Sequence, residues 1–284
     1  WEKTERDAVT KRWSPLQPTS ISEDSAAPGL IVLADTTLRD ITALRLDVTP
    51  GTELNLAELE LYVAPTSGEG AETRIPFVES AATFDAAKSA FDGNTETAWR
   101  AAGTDPASAV FVPATPFSFA EGTRLRVVLR GADPGAFRER IQLRVSSEPS
   151  FLPATLGGWM LNGPYIAETG ELALSTEQVD PKNSDVAGKY DDGRAKWYSV
   201  PGGLADGTSH NLSGKTCATY FFRTISAPSP RTMDLAMDNR NAVRLWVNGR
   251  LVLDKEAQRG EVGPHPAPVT IELNAGDNNI LVKV

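Results

Sequence analysis

Short segments rich in β-branched residues, broken by Gly, Pro or Asp at intervals of about ten residues, constrain this chain more than any other feature. Ile41–Val48, Glu58–Val63, Leu125–Leu129 and Ile141–Val145 carry the pattern in the first half. Thr219–Ile225, Thr232–Met237, Val243–Val247, Val252–Leu253, Val269–Leu273 and Asn279–Lys283 carry it in the second. Several alternate apolar with polar residues, so each strand buries one face and must turn back quickly. That combination predicts antiparallel β-sandwiches. Asn248-Gly249, between two of the strand segments, is the strongest short hairpin signal. A short helical turn is predicted within 81–90. Residues 1–18 read as a connecting helix and linker: polar, rich in good helix formers, and closed by Ser14-Pro15.

At 284 residues the chain is long enough for two domains. Ser146–Gly158, with Pro149, Pro153, Gly157 and Gly158, is the boundary segment, so the expected division is 19–153 and 154–284. No charged region followed by an apolar stretch opens the chain, so no signal peptide is read, and Asn279–Val284 reads as a strand in progress. Both ends are therefore expected to be cuts from a longer parent. The longest apolar runs fall far short of the roughly 18 to 20 residues that span a bilayer, which argues against membrane insertion. A net charge of −9, with scattered carboxylates, argues against nucleic acid as a partner, since such a surface repels phosphates. The single cysteine, Cys217, allows no internal disulfide.

Motifs for catalysis are missing. Two histidines, His210 and His265, lie in Gly/Ser/Pro-rich text, and no G-x-S-x-G, H-E-x-x-H, P-loop, dinucleotide fingerprint or haem attachment motif occurs. The chain reads as non-catalytic.

The sharpest local signal is Ala90–Trp99, AFDGNTETAW. Asp92-Gly93-Asn94 forms a tight turn with Thr97 three residues on, and oxygen ligands on a rigid loop suit Ca²⁺. A plain Asx-turn with Trp99 capping the core is the other reading. The D-G-N-x-x-T-x-W run resembles the loop of discoidin-type, galactose-binding-like domains, including many carbohydrate-binding modules. The resemblance implies a structural calcium held by Asp92, Asn94 and Thr97, together with a Glu near the end of the domain, for which Glu148 is the nearest candidate.

A longer resemblance runs over 13–149, through Trp13-x-x-Leu16-x-Pro18, Leu33-Ala34-Asp35, Ile41–Leu46, Leu59–Val63, the loop above and Arg138–Val145. It is similar to a segment of very large exported proteins of planctomycetes and related bacteria that also carry a c-type cytochrome domain. That implies an extracytoplasmic location and a parent with further domains as partners; no haem is assigned to this chain.

Met237–Val252 resembles the D-D-G-x-x-(L/V)-W-(I/V)-(D/N)-G run of protective-antigen-type lectin domains and the jelly rolls of β-galactosidases, with Ala275–Asn279 in keeping. In those lectins paired Asp residues hold Ca²⁺ under a sugar; here the pair is Asp238 and Asn239. Within the strand, Val243, Leu245 and Val247 share one face, and Arg244, Trp246 and Asn248 the other. If the first face is the core, Trp246 beside Arg244 is a sugar platform, with Asp238 and Asn239 at one end. The alternative is that the second face is also covered. Trp159 and Trp197 lie in Gly-, Asn- and Asp-rich text, at loop rims or in packing.

The expectation is an all-β chain of two antiparallel β-sandwich (jelly-roll) domains after a short N-terminal helix. Its expected role is non-catalytic carbohydrate binding, with a polysaccharide or glycan as partner. Two alternatives stand beside it: a scaffold that binds other domains of the parent, and ancillary domains of an exported polysaccharide-processing enzyme.

Overall fold

The computed structural model describes residues 13–284, except 26, 52, 69, 84–86, 102–104, 132–134, 136–137, 201–202, 209, 211, 213, 238–241 and 256–267. The chain is all-β and divides into two compact units, Trp1–Leu152 and Pro153–Val284. The expected N-terminal helix lies mostly outside the described residues. Its described end is extended instead: β1 (Ser14–Pro15) and β2 (Pro18–Glu23) are strands at sheet edges, where a proline leaves no ladder donor missing.

In the first unit the strands continue as β3 (Gly29–Thr36), β4 (Ala43–Val48), β5 (Leu54–Pro65), β6 (Thr73–Ile75) and β7 (Phe77–Ala82). After a 3₁₀ turn at Ala87–Ala90 come β8 (Trp99–Ala101), β9 (Ala107–Pro113), β10 (Thr123–Gly131) and β11 (Ile141–Ser146). One sheet runs β1-β11-β4-β9-β7; the other runs β2-β3-β10-β5-β6, with β8 beside β5. All pairs are antiparallel, as the period-two pattern requires. The inward residues of both sheets, such as Leu44, Leu46, Phe111, Leu125 and Val127, form one core between them. A smaller cluster of Trp13, Ala43, Val112 and Phe151 lies on the outer face of the β1-side sheet, with the Trp13 and Phe151 rings 4.9 Å apart.

The second unit holds β12 (Thr155–Leu156), β13 (Met160–Ile166), α1 (Gly170–Ser175), β14 (Lys189–Tyr190), β15 (Ala195–Lys196) and β16 (Tyr198–Ser199). These are followed by β17 (Cys217–Ala227), β18 (Arg231–Leu235), β19 (Val243–Val247), β20 (Arg250–Lys255), β21 (Val269–Leu273) and β22 (Gly276–Lys283). The main sheet runs β16-β13-β17-β22-β19-β20, with β12 beside β17, and β18 pairs separately with β21. Asn248-Gly249 joins β19 to β20 with φ of 51° and 77°, the left-handed pair that a tight primed turn demands. Both faces of this sheet are covered. Ile225, Val243, Leu245 and Val247 pack with Ile271 and Leu273 of β21 on one side. Tyr220, Phe222, Trp246 and Leu281 pack with Ala173, Val179 and Trp197 on the other.

Candidate functional site

The face of β19 that the sequence offers as a sugar platform is interior. Trp246 is 4 % exposed, inside the cluster of Tyr165, Tyr220 and Trp197. Alternation correctly separates it from Val243, Leu245 and Val247, but α1 and the segment after it cover the second face. Arg244 donates through Nε to Asp254 Oδ1 at 2.9 Å and through Nη1 to the Leu174 carbonyl at 3.2 Å. Lys283, facing Arg244 across the β19–β22 pair, is fully buried and donates to the carbonyls of Leu174 and Thr176, each at 2.6 Å. These two cations thus satisfy carbonyls that the end of α1 leaves unpaired. Burial, then the neighbouring Arg244 charge, pushes the Lys283 amine down to about 8. Asn248 spends its side chain on Asn278 and on the Asn279 amide. Asp238 and Asn239 lie outside the described residues. Trp159 is half-buried, its ring face under the Arg223 guanidinium at 4.6 Å and its Nε1 donating to Asp206. Trp197 is buried in the core.

In the first unit the structure brings Asp92, Asn94 and Thr97 together. The Thr97 hydroxyl lies 2.9 and 3.1 Å from the two Asp92 carboxylate oxygens and 2.8 Å from the Asn94 carbonyl, and the Asn94 amide donates to Asp92 Oδ1 at 2.9 Å. Those contacts make the Asx-turn. The carboxylate at this loop that sequence reasoning missed is Glu58, on β5 next to a bulge where Gly131 faces Leu56 and Arg130 faces Glu58. Glu58 is 6 % exposed, lies near the amides of Gly93 and Asn94, and keeps a buried Oε1 with no partner among the described residues. Burial first, then the Asp92 charge, raises its carboxyl above the ordinary value. The available signal was alternation: Glu58 falls in phase with Leu54 and Leu56, on the face that turns inward. An orphaned carboxylate oxygen beside a second carboxylate, a hydroxyl and a carbonyl fits a hard cation. Among the described residues no three His, Cys, Asp or Glu side chains converge, so an ion here would draw on Glu58, Asp92, Thr97 and backbone oxygens. Glu148 is placed by its backbone: its carbonyl accepts the Thr42 hydroxyl at 2.7 Å and its amide donates to Ser146 Oγ.

A second feature of the first unit was not read from the sequence. An open cleft of about 560 Å³ lies along the outer face of β4, β9 and β11, within the range of small-ligand sites. Leu44, Leu46, Leu143 and Val145 point into the core, so the residues between them, Arg45, Asp47, Gln142 and Arg144, line the other face. Arg45 lies directly opposite Arg144 across the β4–β11 pair, and Asp47 lies opposite both Gln142 and Ser108. Like charges facing each other across strands are unfavourable. Asp47 offsets this by accepting Arg45 Nε at 2.6 Å on one oxygen and Arg144 Nε at 2.9 Å on the other. Trp13 closes one end, 5.8 Å from the Arg45 guanidinium.

The geometry defines two all-β units, the first with an oxygen-lined loop and a polar cleft. No family model matches the chain, and no curated protein does. Among solved structures it is similar to a Paenibacillus xanthan lyase at 13 % identity and a TM-score of 0.32, over 95 % of this chain and 25 % of the lyase. It is also similar to an anti-sigma factor domain-containing protein at 12 % identity and a TM-score of 0.23, over 92 % of this chain and 77 % of that one. The chain spans a quarter of the lyase's length. Similarity at this level says nothing about activity. Among the described residues, no helix is long and apolar enough to cross a membrane.

Proposed function

We propose that the chain is a non-catalytic polysaccharide-binding part of a larger exported protein, and that the first unit carries the ligand site. The observation behind this reading is the cleft on β4, β9 and β11. It is open, sheet-floored and lined by forked polar side chains, with Trp13 at one end. Sugars need such a surface: polar forks for hydroxyls, and length enough for more than one ring. The Asp92 loop, in this reading, holds a structural calcium with help from Glu58, away from any chemistry. For the second unit a scaffold role is favoured, because burial of Trp246 removes its sugar platform. Affinity electrophoresis of the full chain through gels containing a panel of polysaccharides tests the proposal. Retardation by at least one polymer is expected; unretarded migration in all of them would defeat it.

A further inference from the structure

Resting on that reading, we infer that the cleft selects polysaccharides bearing carboxylates, through a guanidinium pair built around Asp47. Two guanidinium groups, Arg45 and Arg144, share this one carboxylate. Each gives it only its Nε, so the forks beyond are turned to other uses. Arg144 Nη2 donates to Gln142 Oε1 at 2.7 Å, whereas neither Nη of Arg45 has a hydrogen-bond partner among the described residues. Among the charged side chains described in the cleft, Arg140 and Glu139 offset each other in charge, and Arg45 and Arg144 face the single carboxylate of Asp47. One positive charge is left over, in a chain whose net charge is −9.

The arginines are not loose surface groups. The side chains of Arg45, Asp47 and Arg144 are 22 %, 23 % and 33 % exposed, so the unmatched charge is partly desolvated while the forks remain reachable. A planar carboxylate is the group that such a fork matches bidentately. Around it stand neutral groups with spare capacity: the Ser108 hydroxyl and the Gln142 amide nitrogen have no hydrogen-bond partners among the described residues. The arrangement is one excess charge flanked by neutral donors and acceptors. It suits a uronate chain, in which each carboxylate is set among hydroxyls. A nucleic acid would need many neutralised phosphates, which one charge does not provide. A polyacidic peptide would bring a dense row of carboxylates against Asp47 and Glu139.

The test is titration of the full chain with polygalacturonate, a neutral galactomannan and polyglutamate, in low and high salt. Polygalacturonate should bind more tightly than the galactomannan and than polyglutamate, and should weaken as salt rises. Arg45→Gln and Arg144→Gln should each weaken polygalacturonate binding about ten- to a hundredfold, the usual worth of a hydrogen bond to a charged group. Arg45→Lys, which keeps the charge and loses the fork, should recover only part of that loss. Melting temperatures of all variants are measured alongside, so that Arg144→Gln and Arg45→Lys decide the matter if Arg45→Gln folds poorly. Equal binding of the uronate and neutral polymers, unchanged in these variants, would overturn the carboxylate preference and leave polysaccharide binding standing. Polyglutamate binding as tightly as the uronate would overturn the saccharide class. Binding of none of the three would overturn the uronate preference, whereas polysaccharide binding as such falls only if the whole panel of polymers fails.

Discussion

Trp246 shows what alternation along a strand can and cannot report. It correctly puts Trp246 opposite Val243, Leu245 and Val247, but it carries no information on whether the second face is open, because the cover comes from 170–200, far away in sequence. Trp246→Ala should therefore cost about 3–5 kcal/mol, the loss expected for a buried aromatic, read as a large fall in the melting temperature of the second unit. A shift of only a degree or two would return the residue to the surface. Lys283 on the same face gives a pH test. Its amine is held down to about 8 against an ordinary 10.5, so between those values the unfolded chain binds more protons than the folded one. Stability of the second unit should accordingly rise from pH 8 to pH 10, by up to on the order of 3 kcal/mol for a shift of this size. Above that range Tyr165 and Tyr220, whose hydroxyls burial pushes up, favour the unfolded chain as they ionise. Chemical denaturation at stepped pH should show the rise in the native protein and a flat response in Lys283→Met. An equal slope in both would mean another group is responsible.

Elements built from neighbouring residues were the legible ones. The Asn248-Gly249 hairpin and the Asp92–Thr97 turn each close within a few positions, so the side chains that dictate them are adjacent in the text. The cleft was not legible, because β4 and β11 are joined only by pairing across about a hundred residues, as in the Arg144–Asp47 bond, whose partners are 97 positions apart. Glu58 was missed for the same reason: it reaches the Asp92 loop from another strand. The loop makes its own prediction. Calcium at a hundredfold excess over its Kd should stabilise the first unit by about 2.7 kcal/mol, and Asp92→Ala and Glu58→Gln should each abolish the response. Scanning calorimetry with calcium and with chelator reads it. A melting curve indifferent to calcium would leave the Asx-turn as the whole account of Asp92, Asn94 and Thr97.

Over the whole molecule, Leu152 and Pro153 divide two units that each possess their own buried clusters. Limited proteolysis should cut first near this junction and release two resistant fragments, since exposed connections between separate cores are the preferred sites of nicking. One resistant fragment spanning both would speak against independent units. The fold class followed from strand length and punctuation, which are global properties of the text, while the cleft depended on one register among many. The central claim is that the sheet-floored cleft of the first unit holds a polysaccharide. Binding of the full chain to a polysaccharide array, compared with Ser108→Trp, tests it most directly. An indole at Ser108 lies opposite Asp47 and obstructs the floor of the cleft, on the face away from the core between the sheets. The account predicts polysaccharide binding by the native chain that disappears in Ser108→Trp at an unchanged melting temperature. Binding that survives the obstructed cleft, or no binding by the native chain, would contradict it.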